Sequence, residues 1–369
     1  MLNPNTQEQD HIKQEFTGET PVVFLDLDRV EKNLIRAQSY FDLHRIQNRP
    51  HIKTHKSLEF AKRQIELGAV GITCQKLGEA EVMANGGIDD ILITYPIVSQ
   101  KKIDRLIALN NRIKITTVVD NFEVAQILSD AAKASKKQLR VLIECDTGGE
   151  RCGVQSPESA CALATSITSL PGLIFRGLMT YPPKDQVKNT TEYINKAIYL
   201  IKGKGIAVEL VSIGGTPDMY RAHEIKLASQ DVIQEHRPGT YLFSDRYMLE
   251  NNVGPIDECA LRFVVTVISR PTENRAIIDA GSKTFSSDFM GFSDHGIILE
   301  YPDARIEKLS EEHGHINLNN CSKKPMIGEI LTIVPNHACA VSNLTDYFVG
   351  VKKNNKPITI RVDARGKTN

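Results

Sequence analysis

Residues 90–119 read DILITYPIVSQKKIDRLIALNNRIKITTVV. Asp90–Tyr95 and Ile115–Val119 are short runs rich in Ile, Val and Thr, the composition of a buried strand. Between them, Gln100–Leu109 sets Ile103, Leu106 and Ile107 at helical spacing, with Lys102, Asp104 and Arg105 interleaved. Strand, amphipathic helix and strand within about thirty residues make a βαβ unit, whose two strands lie parallel.

The alternation continues in both directions. Strands are predicted at Val22–Asp26, Arg49–Lys53, Val70–Cys74, Leu139–Asp146, Ile174–Tyr181 and Val208–Gly214. Helices are predicted at Arg29–Leu43, Leu58–Leu67, Gly78–Asn85, Phe122–Ala134, Pro157–Ser169 and Asp185–Gly203. Roughly eight repeats over about 225 residues suit a closed (β/α)8 barrel of the TIM type better than an open doubly wound sheet. An open sheet would lead with a glycine-rich turn, but Leu25-Asp26-Leu27-Asp28 follows the first predicted strand. After residue 245 the pattern changes. Phe263–Arg270, Arg275–Asp279, Gly296–Glu300, Gly328–Pro335, Tyr347–Val351 and Ile358–Val362 read as strands with no long helix between them. The expected organisation is an α/β barrel over residues 20–245 and a predominantly β C-terminal domain over 246–369. The 1–19 tail is expected to pack on the latter.

Composition narrows the function classes. The 369 residues carry 45 Lys plus Arg against 45 Asp plus Glu, a formal net charge of zero, which disfavours nucleic acid and anionic membrane as partners. No run of 18 apolar residues occurs, and the first residues lack an apolar h-region. Seven cysteines without a CxxC pair do not form a disulfide framework, so a reducing cytoplasm is expected.

In a barrel of this kind, polar residues at the C-terminal ends of strands are the functional candidates. Arg49-Pro50-His51-Ile52-Lys53-Thr54-His55-Lys56 ends the second predicted strand, where a period of two would turn His51 and Lys53 inward and Ile52 outward. A lysine buried there must be neutralised or covalently engaged. Val211-Ser212-Ile213-Gly214-Gly215-Thr216-Pro217 and His236-Arg237-Pro238-Gly239-Thr240-Tyr241 offer two glycine-plus-hydroxyl turns where such barrels bind phosphate, with a helix expected near Pro217. Arg151 stands in a glycine-rich turn after the sixth predicted strand and presents a fork of donors suited to an oxyanion such as a phenolate. Tyr181 ends the seventh. In the C-terminal domain, His337 and Cys339 are two residues apart after a strand, a possible metal-binding pair.

These segments, with Leu77-Gly78-Glu79-Ala80-Glu81, Asp279-Ala280-Gly281-Ser282-Lys283 and Glu311-Glu312-His313-Gly314, resemble in order the D-threonine aldolase and D-serine dehydratase family. That family lies within the alanine racemase-like, fold type III enzymes. The resemblance spans about residue 20 to residue 365. It implies a pyridoxal 5′-phosphate (PLP) enzyme acting on a small D-amino acid, with a divalent metal, Zn or Mn, and a homodimeric state. Lys53 would hold the cofactor covalently, Arg151 would meet its phenolic oxygen, and Tyr181 would stand at the pyridine nitrogen. Gly214, Gly215, Gly239 and Thr240 fall on the phosphate cup, whose motifs also contain Ser212 and Thr216. His337 and Cys339 match the metal pair beside the substrate's β-hydroxyl.

Two departures stand out. Pro182-Pro183-Lys184 follows Tyr181 where many relatives have glycine and histidine, so proton transfer would fall to His51, Lys184 or metal-bound water. Cys339 resembles the dehydratase version of the metal site more than the aldolase version. The expected activity is retro-aldol cleavage of a D-β-hydroxy-α-amino acid to glycine and an aldehyde. D-serine dehydration is the alternative, and a racemase or a non-catalytic PLP carrier stands further off.

Overall fold

The computed structural model describes residues 18–369; the expectation for the 1–19 tail lies, for residues 1–17, outside the described residues. Contacts divide the chain into two compact units. One comprises the described residues to Arg36, Thr54–Glu59 and Thr240–Gly366; the other comprises Ala37–Lys53, Phe60–Gly239 and Lys367–Asn369.

The described residues begin with β1 (Val22–Asp26) and α1 (Leu27–Leu43). The second unit then alternates β2 (Gln47–Asn48), α2 (Leu58–Glu66), β3 (Ile72–Cys74), α3 (Leu77–Asn85), β4 (Asp90–Ile93), α4 (Gln100–Arg112) and β5 (Lys114–Val119). It continues with α5 (Phe122–Ala134), β6 (Leu139–Cys145), α6 (Pro157–Thr168), β7 (Leu173–Thr180), α7 (Val187–Gly203), β8 (Leu210–Gly214) and β9 (Ile233–Arg237). Sequence chemistry sets the helix starts. Asn121 accepts the Val124 N–H at 2.8 Å to cap α5, and Ser156 accepts that of Ser159 at 3.1 Å ahead of Pro157, which has no N–H to lose in the first turn.

The eight strands from β2 to β9 form one parallel sheet in the order β2-β9-β8-β7-β6-β5-β4-β3. Residues following β2 close it. Arg49 and His51 donate to the carbonyls of His236 and Pro238, while Pro50 accepts from Thr73 and His51 bridges Thr73. Leu92, Val118, Leu142 and Met179, from four consecutive strands, pack into one buried cluster, each burial favourable by about 2 kcal/mol.

The eightfold α/β barrel is as expected, but its strand count starts one strand later. β1 is a strand of the other sheet, paired antiparallel with β10 (Leu261–Thr272) and parallel with β16 (Tyr347–Val351). β9 therefore supplies the eighth barrel strand. The predicted Arg49–Lys53 strand is displaced: β2 ends at Asn48, His51 makes only an isolated bridge, and a 3-10 turn spans Ile52–Thr54, so a period of two does not reach Lys53. No α-helix follows Pro217; a six-residue 3-10 turn, Met219–Glu224, stands there.

The first unit is mostly strands. After α8 (Arg246–Glu250) come β10, β11 (Arg275–Ile278), the short α9 (Ser282–Phe285), β12 (Ile297–Ile298), β13 (Arg305–Leu309), β14 (Gly314–Asn317), β15 (Ile330–Val334), α10 (Ala338–Ser342), β16 and β17 (Ile358–Arg361). The β13–β14 hairpin is absent from the sequence prediction, because β13 carries charge at three of five positions and buries only Ile306 fully. No helix among the described residues is long and apolar enough to cross a membrane.

Candidate active site

Within the barrel unit, the turns after β2, β6 and β7 bring three predicted residues together. The Lys53 ammonium lies 5.9 Å from the centroid of the Tyr181 ring, and the Arg151 guanidinium lies 5.1 Å from the same centroid. Tyr181 follows β7 directly, and its ring is partly exposed. Lys53 is presented by its 3-10 turn rather than by a strand face. His51 shapes that turn: its Nδ1 accepts the Lys53 backbone N–H at 3.3 Å, so its Nε2 donates to Gln75 Oε1 at 3.1 Å. Both ring nitrogens are thus engaged in positioning.

Asp146 builds the turn that carries Arg151. Its Oδ1 accepts the N–H groups of Gly148, Gly149 and Glu150 at 2.9, 2.7 and 3.2 Å. Burial works to raise this carboxyl, but the N–H groups of Gly148 and Gly149 and the Gln155 amide bring it below its ordinary range. Gly148 needs its glycine, with φ of +114°. Arg151 itself is half exposed and stands 3.9 Å from Glu144 Oε1. Glu144, Asp146, Gly149, Arg151, Cys152 and Tyr181 line a cavity of about 200 Å3. Sequence reasoning passed over Glu144. It is buried, its Oε2 has no partner, and burial raises its pKa against the opposing pull of Arg151 and then Arg237. The only sequence signal was an acid among apolar residues at the end of a strand.

The two glycine turns also meet. Gly239 N–H donates to Thr216 Oγ1 at 3.0 Å, and His236 Nε2 donates to the Gly215 carbonyl at 2.8 Å. A Cβ on Gly214 would stand 2.7 Å from both Arg237 Nη2 and Tyr181 Cδ2, and Gly215 takes a φ of +109°. Ser212 is not part of this rim. It is buried inside the barrel, giving its proton to Glu235 Oε1 at 2.5 Å and accepting from Arg237 Nη1 at 2.7 Å. It sits two residues before the turn, and its hydroxyl joins a buried ion network. Thr240 is assigned to the other unit, where its hydroxyl lies 3.6 Å from Cys339 Sγ.

In that other unit, His337 and Cys339 do come together, near enough for the thiol to act on the imidazole's pKa. His337 Nδ1 is 2.6 Å from Asp288 Oδ2, and Thr54 Oγ1 is 3.1 Å from Cys339 Sγ. Burial would lower the His337 pKa, but Cys339 and then Asp288 outweigh it and push it up to about 9. Among the described residues, no group of three His, Cys, Asp or Glu side chains is gathered to hold a metal ion. Asp288 was missed from the sequence because nothing in its local pattern links it to a histidine far along the chain.

The donor chemistry fits PLP. Two cations face one phenol beside a glycine turn that has no space for a side chain, as an anionic aromatic cofactor requires. The imidazole–thiol pair fits a metal whose remaining positions are open, with Asp288 fixing the imidazole.

Comparison with known proteins agrees. The family model of the alanine racemase N-terminal domain matches residues 25–246, and that of a serine dehydratase-type domain matches residues 260–351. The chain is 34% identical to the D-threonine aldolase of Arthrobacter sp., covering 94% of this chain and 93% of the relative. It is 32% identical to the 3-hydroxy-D-aspartate aldolase of Paracoccus denitrificans, covering 95% and 92%. The crystal structure of D-threonine aldolase from Filomicrobium marinum superposes with a TM-score of 0.86 at 30% identity, covering 95% of this chain and 97% of that one. With barrel, site geometry and kinship in agreement, the chain belongs to the D-threonine aldolase and D-serine dehydratase family of alanine racemase-like, PLP-dependent lyases.

Proposed function

We propose that this chain is a PLP- and divalent-metal-dependent lyase that cleaves a D-β-hydroxy-α-amino acid to glycine and an aldehyde. The observation that carries the reading is the pair of cations, Lys53 and Arg151, flanking Tyr181 beside the Gly214–Gly215 turn. The two aldolase relatives support the choice of reaction.

Bound there, the cofactor would supply the electron sink for a bond breaking at the substrate's α-carbon. Lys53 would anchor it covalently, and His51 would hold the turn that aims Lys53. Arg151 would donate to the phenolic oxygen, and Tyr181 would meet the ring nitrogen as a neutral partner. The backbone of Gly214, Gly215 and Gly239, with the hydroxyls of Thr216 and Thr240, would receive the phosphate. His337 and Cys339 would hold the metal, whose chemistry is that of a Lewis acid toward a hydroxyl oxygen; the thiolate favours Zn2+ over Mn2+. With both His51 nitrogens engaged, the proton-carrying groups this barrel offers include Lys53, Tyr181 and Glu144. The reading also takes the protein as a cytoplasmic homodimer, and sedimentation of the purified chain checks the second part.

Dehydration is the second reading, favoured by a thiol at position 339. Holoprotein incubated with D-threonine, 3-hydroxy-D-aspartate and D-serine distinguishes the two. Glycine with acetaldehyde or glyoxylate supports the aldolase reading. Ammonia with 2-oxobutanoate, oxaloacetate or pyruvate replaces it with the dehydratase. No product from any of the three, with cofactor and metal present, sinks both.

A further inference from the structure

The barrel has a second cavity, at the opposite ends of its strands from Lys53. About 410 Å3 in volume, it opens where β2 and β9 begin, and its lining includes His44, Arg45, Gln47, His223, Lys226 and Gln234. Four basic side chains line it and no carboxylate does. The acids nearest in sequence are engaged elsewhere. Asp42 accepts from Gln38, Glu224 is forked by Arg221 at 3.1 and 3.0 Å, and Asp231 is held by Lys202 at 2.7 Å. Arg45 and Lys226 form no ion pair among the described residues.

The two imidazoles are held in place. Their rings stack with centroids 4.3 Å apart and planes at 14°. Tyr40 fixes one of them, with its hydroxyl 2.7 Å from His223 Nδ1 while it accepts the His223 backbone N–H at 3.2 Å. That contact survives protonation, because an imidazolium can donate to the same oxygen. Partial desolvation, then His223 and Lys226, keeps the His44 pKa below its ordinary value. No carboxylate lines the cavity, and Glu224, which acts on His223 from outside the lining, is held by Arg221, so an entering anion gains from the two fixed cations Arg45 and Lys226. Ile225, Leu227 and Val232 leave room for an apolar body beside the charged end.

We propose that this cavity is a second ligand site, for a small polyanion bearing phosphate or paired carboxylate groups. Arg45 and Lys226 supply the fixed charge, and the His44–His223 stack supplies directed N–H donors. The site is independent of the reaction assigned to the other end of the barrel.

The test uses holoprotein saturated with PLP, so that the catalytic end does not compete for anion. Inorganic pyrophosphate and citrate are titrated calorimetrically at low ionic strength, with histidine ring signals followed by NMR. Saturable binding of either probe is expected, moving the His44 and His223 resonances. Arg45→Gln with Lys226→Gln is expected to weaken it about a hundredfold, near a factor of ten per charge, leaving lyase activity unchanged. Pyrophosphate binding alone assigns the site to phosphorylated ligands, and citrate alone to polycarboxylates. Absence of saturable binding by both, undiminished affinity in the double variant, or unmoved His44 and His223 signals overturns the proposal.

Discussion

Two of the barrel's sets of cationic side chains behave in opposite ways. Inside it, Arg49 pairs with Glu235 at 2.6 Å and with Asp90 at 2.7 Å, while Arg237 reaches Ser212 Oγ and the Thr180 carbonyl. Burial would lower the Arg49 pKa, but Glu235 and Asp90 more than restore it; in Arg237 burial prevails and lowers it to about 10. At the mouth, Lys53 faces Tyr181 at 5.9 Å, and Arg151 has a carboxylate only at 3.9 Å. The same residue types thus serve as structure where carboxylates, a hydroxyl and a backbone carbonyl hold them within hydrogen-bond distance, and as a site where such partners stand farther off.

Three substitutions sharpen or break this contrast. The largest effect is expected for Lys53→Ala, which should lower lyase turnover by about four orders of magnitude and abolish borohydride-trapped cofactor by intact mass, with the unfolding midpoint unchanged. Trapped cofactor persisting in that variant would show that another lysine, Lys56 first, is the anchor. Glu235→Ala should do the reverse. It leaves Arg49 with Asp90 as its remaining carboxylate partner and removes the acceptor of Ser212, costing about 3 kcal/mol in denaturant unfolding. A loss below about 1 kcal/mol would mean that the interior network is not structural.

The third concerns His236, bonded to the Gly215 carbonyl of the glycine turn. Burial holds its pKa down to about 4, with the Gly215 hydrogen bond opposing. An unfolded chain takes up this proton near pH 6.5 and the folded one only near pH 4. Its contribution to stability is therefore intact above about pH 6.5 and lost as pH falls toward 4, by roughly 3 kcal/mol at most. His236→Gln should flatten that window in unfolding midpoints measured at pH 7.5 and 4.5. A wild-type curve already flat there would contradict a buried neutral imidazole.

Much of the barrel was legible because a parallel strand buried on both faces reads as a continuous apolar run, and its helices show their period. The failures were of partnership. β1, Val-Val-Phe-Leu-Asp, has the composition of a barrel strand, yet Val22 pairs with Val264 and Phe24 with Val349. Its burial pattern is satisfied equally by either sheet, so a one-dimensional pattern could not assign it. The rim glycines were readable because backbone approach demands small residues. The bonds of the Ser212 hydroxyl were not legible because a hydroxyl in a motif does not show which way it faces, and Glu144 and Asp288 were missed because their partners come from other loops.

The amino-acid sequence by itself determined an eightfold α/β barrel, a β-rich C-terminal region, the family, and the positions Lys53, Arg151, Tyr181, Gly214, Gly215, His337 and Cys339 as the ones to examine. Only the tertiary structure decided that β9 completes the barrel and that His51 positions the lysine turn. It also decided that Ser212 serves the interior, and that four basic residues meet at the barrel's other end. Local propensity and spacing are properties of neighbours along the chain. Charge pairing, strand partnership and cavity formation depend on groups that only folding brings together.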